Sequence, residues 1–96
     1  MTHLKVLYMS SETCQPCKQL RKSLPHLAHA LDTIATVEYI DVATDVRATE
    51  LNIRTVPTFV ITQNDVEVMR YIGVTSLAVI EQRVKDIITT EISSGR

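Results

Sequence analysis

The opening third of the chain switches from one hydrophobic period to another and back, and that order fixes most of what it can fold into. Lys5 to Met9 is short, apolar and closed by Ser10-Ser11, the pattern of a buried strand and its turn. From Cys17 the apolar positions are Leu20, Leu24, Leu27, Ala28 and Leu31. That is helical spacing with one buried stripe, and Lys18, Arg21, Lys22, His26 and His29 fall off it. Pro25 lies inside this stretch and is expected to kink the helix, because its ring clashes with the carbonyl four residues back. Thr36 to Val42 reads as a second strand. A strand, a helix and a strand in succession imply a right-handed parallel crossover.

The rest of the chain completes the layers. Asp45 to Asn52 reads as a short helix, and Pro57 to Thr62 and Val66 to Ile72 as strands joined by a three-residue turn, Gln63-Asn64-Asp65. Thr75 or Ser76 caps a last helix whose stripe is Leu77, Ile80, Val84, Ile87 and Ile88. The order β-α-β-α-β-β-α predicts an α/β fold: a four-stranded mixed sheet with helices on both faces. Its 96 residues suit a single domain over 1–92, with a frayed tail over 93–96. The net charge of −1 gives no electrostatic case for nucleic acid or an anionic membrane surface. No apolar run approaches the roughly 20 residues of a membrane span. The apolar run before Ser10 is too short for the core of a signal peptide. The chain is therefore expected to be cytoplasmic.

In that setting the only two cysteines, Cys14 and Cys17, are expected to be catalytic or metal-binding, not a structural staple. There is no second cysteine pair and no Cys-His cluster with zinc spacing, so no metal is expected, and His26 and His29 read as surface residues. Cys14 stands at a strand-to-helix turn, where unpaired N–H groups and a partial positive charge favour a thiolate. Cys17, one turn inward, can donate its S–H to that thiolate, and Lys18 adds a positive charge. Cys14 is thus the expected nucleophile and Cys17 the resolving thiol. Pro16 lies early in the helix, where its missing N–H leaves no bond unmade, and rigidifies the pair. The plain alternative is two cysteines filling the core as small apolar residues.

Downstream, Arg54-Thr55-Val56-Pro57-Thr58-Phe59 precedes the hairpin and Gly73-Val74-Thr75-Ser76-Leu77 enters the last helix. A strand, then Cys-x-x-Cys opening a helix, then Val56-Pro57-Thr58, then Gly73 resembles the thioredoxin superfamily over roughly Leu4 to Ile88. In size, and in lacking an amino-terminal strand and helix, the chain is similar to glutaredoxins and compact thioredoxin-like proteins. The resemblance implies a thiol-disulfide oxidoreductase that reduces protein disulfides through a Cys14–Cys17 dithiol, with no cofactor beyond that pair. It implies disulfide-containing protein substrates, a reductase or other dithiol as electron donor, and a monomer. It implies substrate contacts at Thr13, Val56, Pro57 and Gly73, with Pro57 cis so that the Val56 backbone can pair with an extended segment. A trans proline at a strand start is the bland alternative, and Gly73 also reads simply as a turn glycine. Gln15, Pro16, Lys18 and Tyr8 are the positions expected to tune the pair.

Four departures stand out. Thr13 and Ser10 occupy the places of the family's two tryptophans, Tyr8 that of its buried aspartate, and Tyr39 that of the lysine partnering the acid. Tyr8 reads either as a core aromatic or as a phenol altering proton handling at Cys17. Two other functions remain open. A glutathione-dependent glutaredoxin would carry a second glycine and an acid after Gly73, which are absent here. A binding module would use the fold without turnover.

Overall fold

A computed structural model of the chain describes residues 3–94. Its elements run β1 (Leu4–Ser10), α1 (Gln15–Arg21), α2 (Leu24–Ala30), β2 (Ala35–Asp41), α3 (Val46–Glu50), β3 (Thr58–Gln63), β4 (Val66–Ile72) and α4 (Leu77–Ser94). The strands form one mixed sheet in the order β2-β1-β3-β4. β1 runs parallel to β2 and antiparallel to β3, and β3 runs antiparallel to β4. The α/β class, the mixed four-stranded sheet and the helices on both faces are as the periodicity predicted.

Three local readings are corrected. The expected single kinked helix is two helices, broken at Lys22-Ser23. Pro25 sits in the first turn of α2, where a missing N–H costs nothing, and a continuous helix would have driven its ring into the Arg21 carbonyl. The hairpin loop has two residues, not three: Gln63 pairs with Val66, and Asn64 and Asp65 both take positive φ, 53° and 67°. Asn and Asp tolerate that conformation, and a turn with both central residues there matches the twist of the flanking strands. Of the two candidate caps on α4, Ser76 acts: its Oγ accepts the Ala78 N–H at 3.1 Å. The helix runs as far as Ser94, so the first two residues of the expected tail are helical; 95–96 lie outside the described residues.

The core is unequal on the two faces. Leu4, Val6, Tyr8, Phe59 and Ile61 point to the side covered by α1, α2 and α4, where they meet Cys17, Leu24, Leu27, Leu31, Ile80 and Val84. Leu7, Met9, Ile40 and Val60 point to the other side and meet Val42, Leu51 and Ile53, around the short α3. That helix is closed at both ends. Asp45 accepts the Arg47 N–H at 2.9 Å at the start. At the end Asn52, at φ 56°, reverses the chain, and the N–H groups of Asn52 and Ile53 return to Thr49 and Ala48. This reversal tucks Ile53 into the core and launches Arg54-Thr55-Val56-Pro57 toward the head of β3.

Candidate active site

The site begins where β1 ends. Ser10 is the last strand residue, and Ser11 turns the chain: its carbonyl accepts the Cys14 N–H at 3.1 Å and its Oγ accepts the Thr13 N–H at 3.2 Å. Cys14 is extended, at φ −96° and ψ 109°, and acts as the N-cap of α1. Its carbonyl accepts the first helical bond, from Lys18 N–H at 3.2 Å. Its Sγ accepts the Cys17 N–H at 3.3 Å, the place a serine or aspartate oxygen would take in an ordinary cap. That donor bears on whatever negative charge the sulfur carries. No acidic residue stands in the first turn to oppose it.

The two sulfurs are joined as a disulfide, with Cα atoms 5.2 Å apart. They differ in access. Cys17 is fully buried in the larger core cluster, whereas Cys14 is half-buried at its edge. Thr13, Gln15, Pro16 and Lys18 are all exposed around it.

The second segment closes on this end of the sheet. Thr58 pairs with Met9 of β1, so continuing the antiparallel register brings Pro57 level with Ser10. Val56 packs against the same core cluster as Cys14. The Val56–Pro57 peptide bond is cis. Thr58 Oγ1 donates to the Thr55 carbonyl at 2.6 Å, and the Gly73 N–H donates to the Pro57 carbonyl at 2.8 Å. Gly73 itself has φ +93°, a conformation that favours glycine, and a Cβ added there would meet nothing within 4 Å. The turn thus requires glycine and the space beside it is open. Ile72 and Val74, on either side, are 68% and 66% exposed. Arg54 is exposed.

Beneath the cysteines lies Tyr8. Its side chain is fully buried and its hydroxyl donates to the Cys17 carbonyl at 2.6 Å. Burial pushes the phenol above its ordinary value near 10, against a smaller pull downward from the Ser10 hydroxyl. Tyr39 lies beside it in the parallel register, with ring centroids 6.1 Å apart.

One cluster has no counterpart in the sequence reading. The Tyr39 hydroxyl donates to Glu12 at 2.6 Å, Arg21 donates to the same carboxylate oxygen at 3.1 Å, and the Arg21 guanidinium carbon stands 4.1 Å from the Tyr39 ring centroid. The Tyr39 hydrogen bond, with Arg21 helping, holds the Glu12 carboxyl below its usual range. The cluster ties the turn that carries Cys14 to β2 and to the end of α1. No local spacing signals it, since the partners lie 27 and 9 residues from Glu12. His26 and His29 are exposed on α2. Among the described residues, no group of three or more His, Cys, Asp or Glu is placed to hold a metal ion.

Compared by sequence with curated proteins, the chain finds no match. Among solved structures it resembles a point mutant of the thioredoxin of Halobacterium salinarum, with 24% identity, a TM-score of 0.78, and 86% of this chain and 73% of that one covered. It is also similar to chloroplastic thioredoxin z, with 26% identity, a TM-score of 0.78, and 91% and 80% covered. The thioredoxin of Trypanosoma brucei brucei superposes with a TM-score of 0.79 at 22% identity, with 91% and 76% covered. The thioredoxin family model matches residues 2–86, a span that holds the cysteine pair, the Val56-Pro57 loop and Gly73 together. A bridged Cys-x-x-Cys pair at the head of a helix, on that fold and within that match, makes this a thioredoxin-like dithiol oxidoreductase, and the chain belongs to the thioredoxin family.

Proposed function

We propose that the chain reduces disulfides in protein substrates, with Cys14 as the attacking sulfur and Cys17 as the resolving one. The observation that carries this reading is the inequality of the pair. Cys14 is half-buried at the edge of the core and its Sγ receives the Cys17 N–H, while Cys17 is fully buried beside it. In the reduced protein the Cys14 thiolate attacks a substrate disulfide. A Cys14–substrate S–S bond forms, the substrate bond breaks, and the departing sulfur takes up a proton. Cys17 then attacks Cys14, the mixed disulfide breaks, and the second substrate sulfur leaves reduced. Two electrons pass to the substrate and the Cys14–Cys17 disulfide remains. An external dithiol, by this reading a reductase, restores the pair.

Substrate docking follows from the shelf beside Cys14. The Val56 backbone offers pairing to an extended segment, and Thr13, Ile72, Gly73 and Val74 border it with open space and apolar surface. Gln15, Pro16 and Lys18 set the shape and charge of the exposed rim. The reading includes a cytoplasmic setting, where thiols are kept reduced between turnovers.

Two variants test the assignment. Cys17→Ser is expected to accumulate mixed disulfides with protein substrates, and Cys14→Ser to accumulate almost none, as read by nonreducing gels and mass measurement. The reverse pattern would overturn it. Supplying a small dithiol, glutathione or a thioredoxin reductase in turn identifies the donor. Equal or better turnover with glutathione alone would shift the function to that of a glutaredoxin.

A further inference from the structure

A buried phenol bonds the backbone of one of the two cysteines, and its surroundings fix what it can do. The Tyr8 ring is held between Phe59, with centroids 4.9 Å apart, and Tyr39 at 6.1 Å. Its hydroxyl donates to the Cys17 carbonyl at 2.6 Å in a site closed to solvent. A phenol hydroxyl has one proton to give, and this one is given to the backbone of the resolving cysteine.

We propose that Tyr8 is a positioning residue for the resolving half of the exchange: its hydroxyl pins the first turn of α1 through the Cys17 carbonyl, and the Cys17 thiol ionises without a protein base. The inference rests on the function proposed above.

Cys17 shares a buried cluster with Tyr8, whose hydroxyl reaches its carbonyl, so the groups around Tyr8 bear on the second half. From β2 comes Tyr39, whose hydroxyl is committed to Glu12. From α1 comes Arg21, engaged with Glu12 and the Tyr39 ring. β1 contributes the Ser10 hydroxyl and β3 the Phe59 ring, and what α4 adds to the buried cluster, Ile80 and Val84, is apolar. None is an imidazole, and the carboxylate in the set, Glu12, is already tied to Tyr39 and Arg21. Burial keeps the Tyr8 phenol protonated at neutral pH. In resolution the Cys17 thiolate therefore forms by loss of its proton to water at the partly exposed Cys14 edge of the cluster. It attacks Cys14 Sγ, the Cys14–Cys17 bond forms, and the Cys14–substrate bond breaks. The substrate sulfur leaves with the electron pair and is protonated from water.

The aromatic disulfide dithiobis(nitrobenzoate) separates the two halves. Attack by Cys14 releases one coloured thiolate, and resolution by Cys17 releases a second. Tyr8→Phe keeps the ring stack and removes only the donor. It is expected to slow the second release about threefold to tenfold, the loss of one hydrogen bond, and to leave the first unchanged. In the unaltered protein the second release is expected to follow a single ionisation, rising tenfold per pH unit below it. Equal slowing of both releases in Tyr8→Phe, which a merely structural role would produce, overturns the positioning role, as does no slowing of either. A second ionisation near neutrality in the unaltered protein overturns the claim that no base assists. Failure of the unaltered protein to give a first release would instead fell the proposed function, and this role with it.

Discussion

Gly73 shows how much backbone geometry one residue sets beside the Val56-Pro57 loop. Its φ of +93° belongs to glycine, while the room for a Cβ is empty, so within the chain itself a substitution there strains the backbone without a steric clash. Gly73→Ala is expected to destabilise by about 1–3 kcal/mol in urea unfolding, the usual cost of a side chain in the left-handed region. It should also raise the KM for a protein disulfide, because the added methyl projects into the open space beside the shelf. A stable variant with unchanged KM would remove Gly73 from the docking surface. The residues legible from sequence share a property: each is marked by near neighbours. Cys14 and Cys17 mark one another, Pro57 is marked by Val56 and Thr58, and Gly73 by the strand before it and the capped helix after it. Glu12 was not legible, because its meaning lies in Tyr39 and Arg21, which chain folding alone brings to it. Tyr8 was half legible. Its burial follows from the apolar run, but its bond to the Cys17 carbonyl depends on how α1 docks.

Among the elements, α3 is the one whose ends decide its existence. It has five residues, too few to persist on propensity, so it depends on its caps and on the burial of Ala48. Asp45 is the first of those caps. Hydrogen bonds from the Arg47 side chain, then from its backbone N–H, lower its carboxyl from 3.8 to about 2. A carboxyl that binds its proton more weakly when folded stabilises the fold at higher pH. The contribution is whole above the unfolded value and vanishes as pH falls through about 2. Asp45→Ala is therefore expected to lower the melting temperature by a few degrees at pH 7, with the difference shrinking steadily between about pH 4 and pH 2. A difference that stays constant with pH would show the cap to be independent of charge. The same scale explains what the sequence misplaced. A continuous apolar stripe from Leu20 to Leu31 is compatible with one bent helix or two joined ones, and the choice falls to the clash at Pro25. Hairpin length likewise turned on whether Gln63 could pair with Val66, a cross-strand fact that no run of residues states.

At the scale of the whole molecule, the sheet is insured on one face and exposed to loss on the other. The side under α1, α2 and α4 buries Leu27 and its neighbours, whereas the side under α3 has the smaller cluster with Leu51 only partly covered. Leu27→Ala should cost about 3 kcal/mol and Leu51→Ala about 1–2 kcal/mol in denaturant unfolding. Equal losses would mean that the two clusters act as one core. The broad plan was legible because strand-helix-strand order and handedness leave few topologies, but this imbalance was not, since it depends on which helix lands on which face. The strand order has a further consequence, for the protein while it is being made. β1 lies between β2 and β3, yet it leaves the ribosome first, and β3 is finished roughly fifty residues later. At about 5–20 residues per second that is a wait of about 3–10 s. Throughout it Cys17 has no β3 to complete the chamber that buries it. During synthesis the two thiols differ less in exposure than in the folded protein, and the burial that separates Cys17 from Cys14 is complete only once β3 and α4 have joined the sheet.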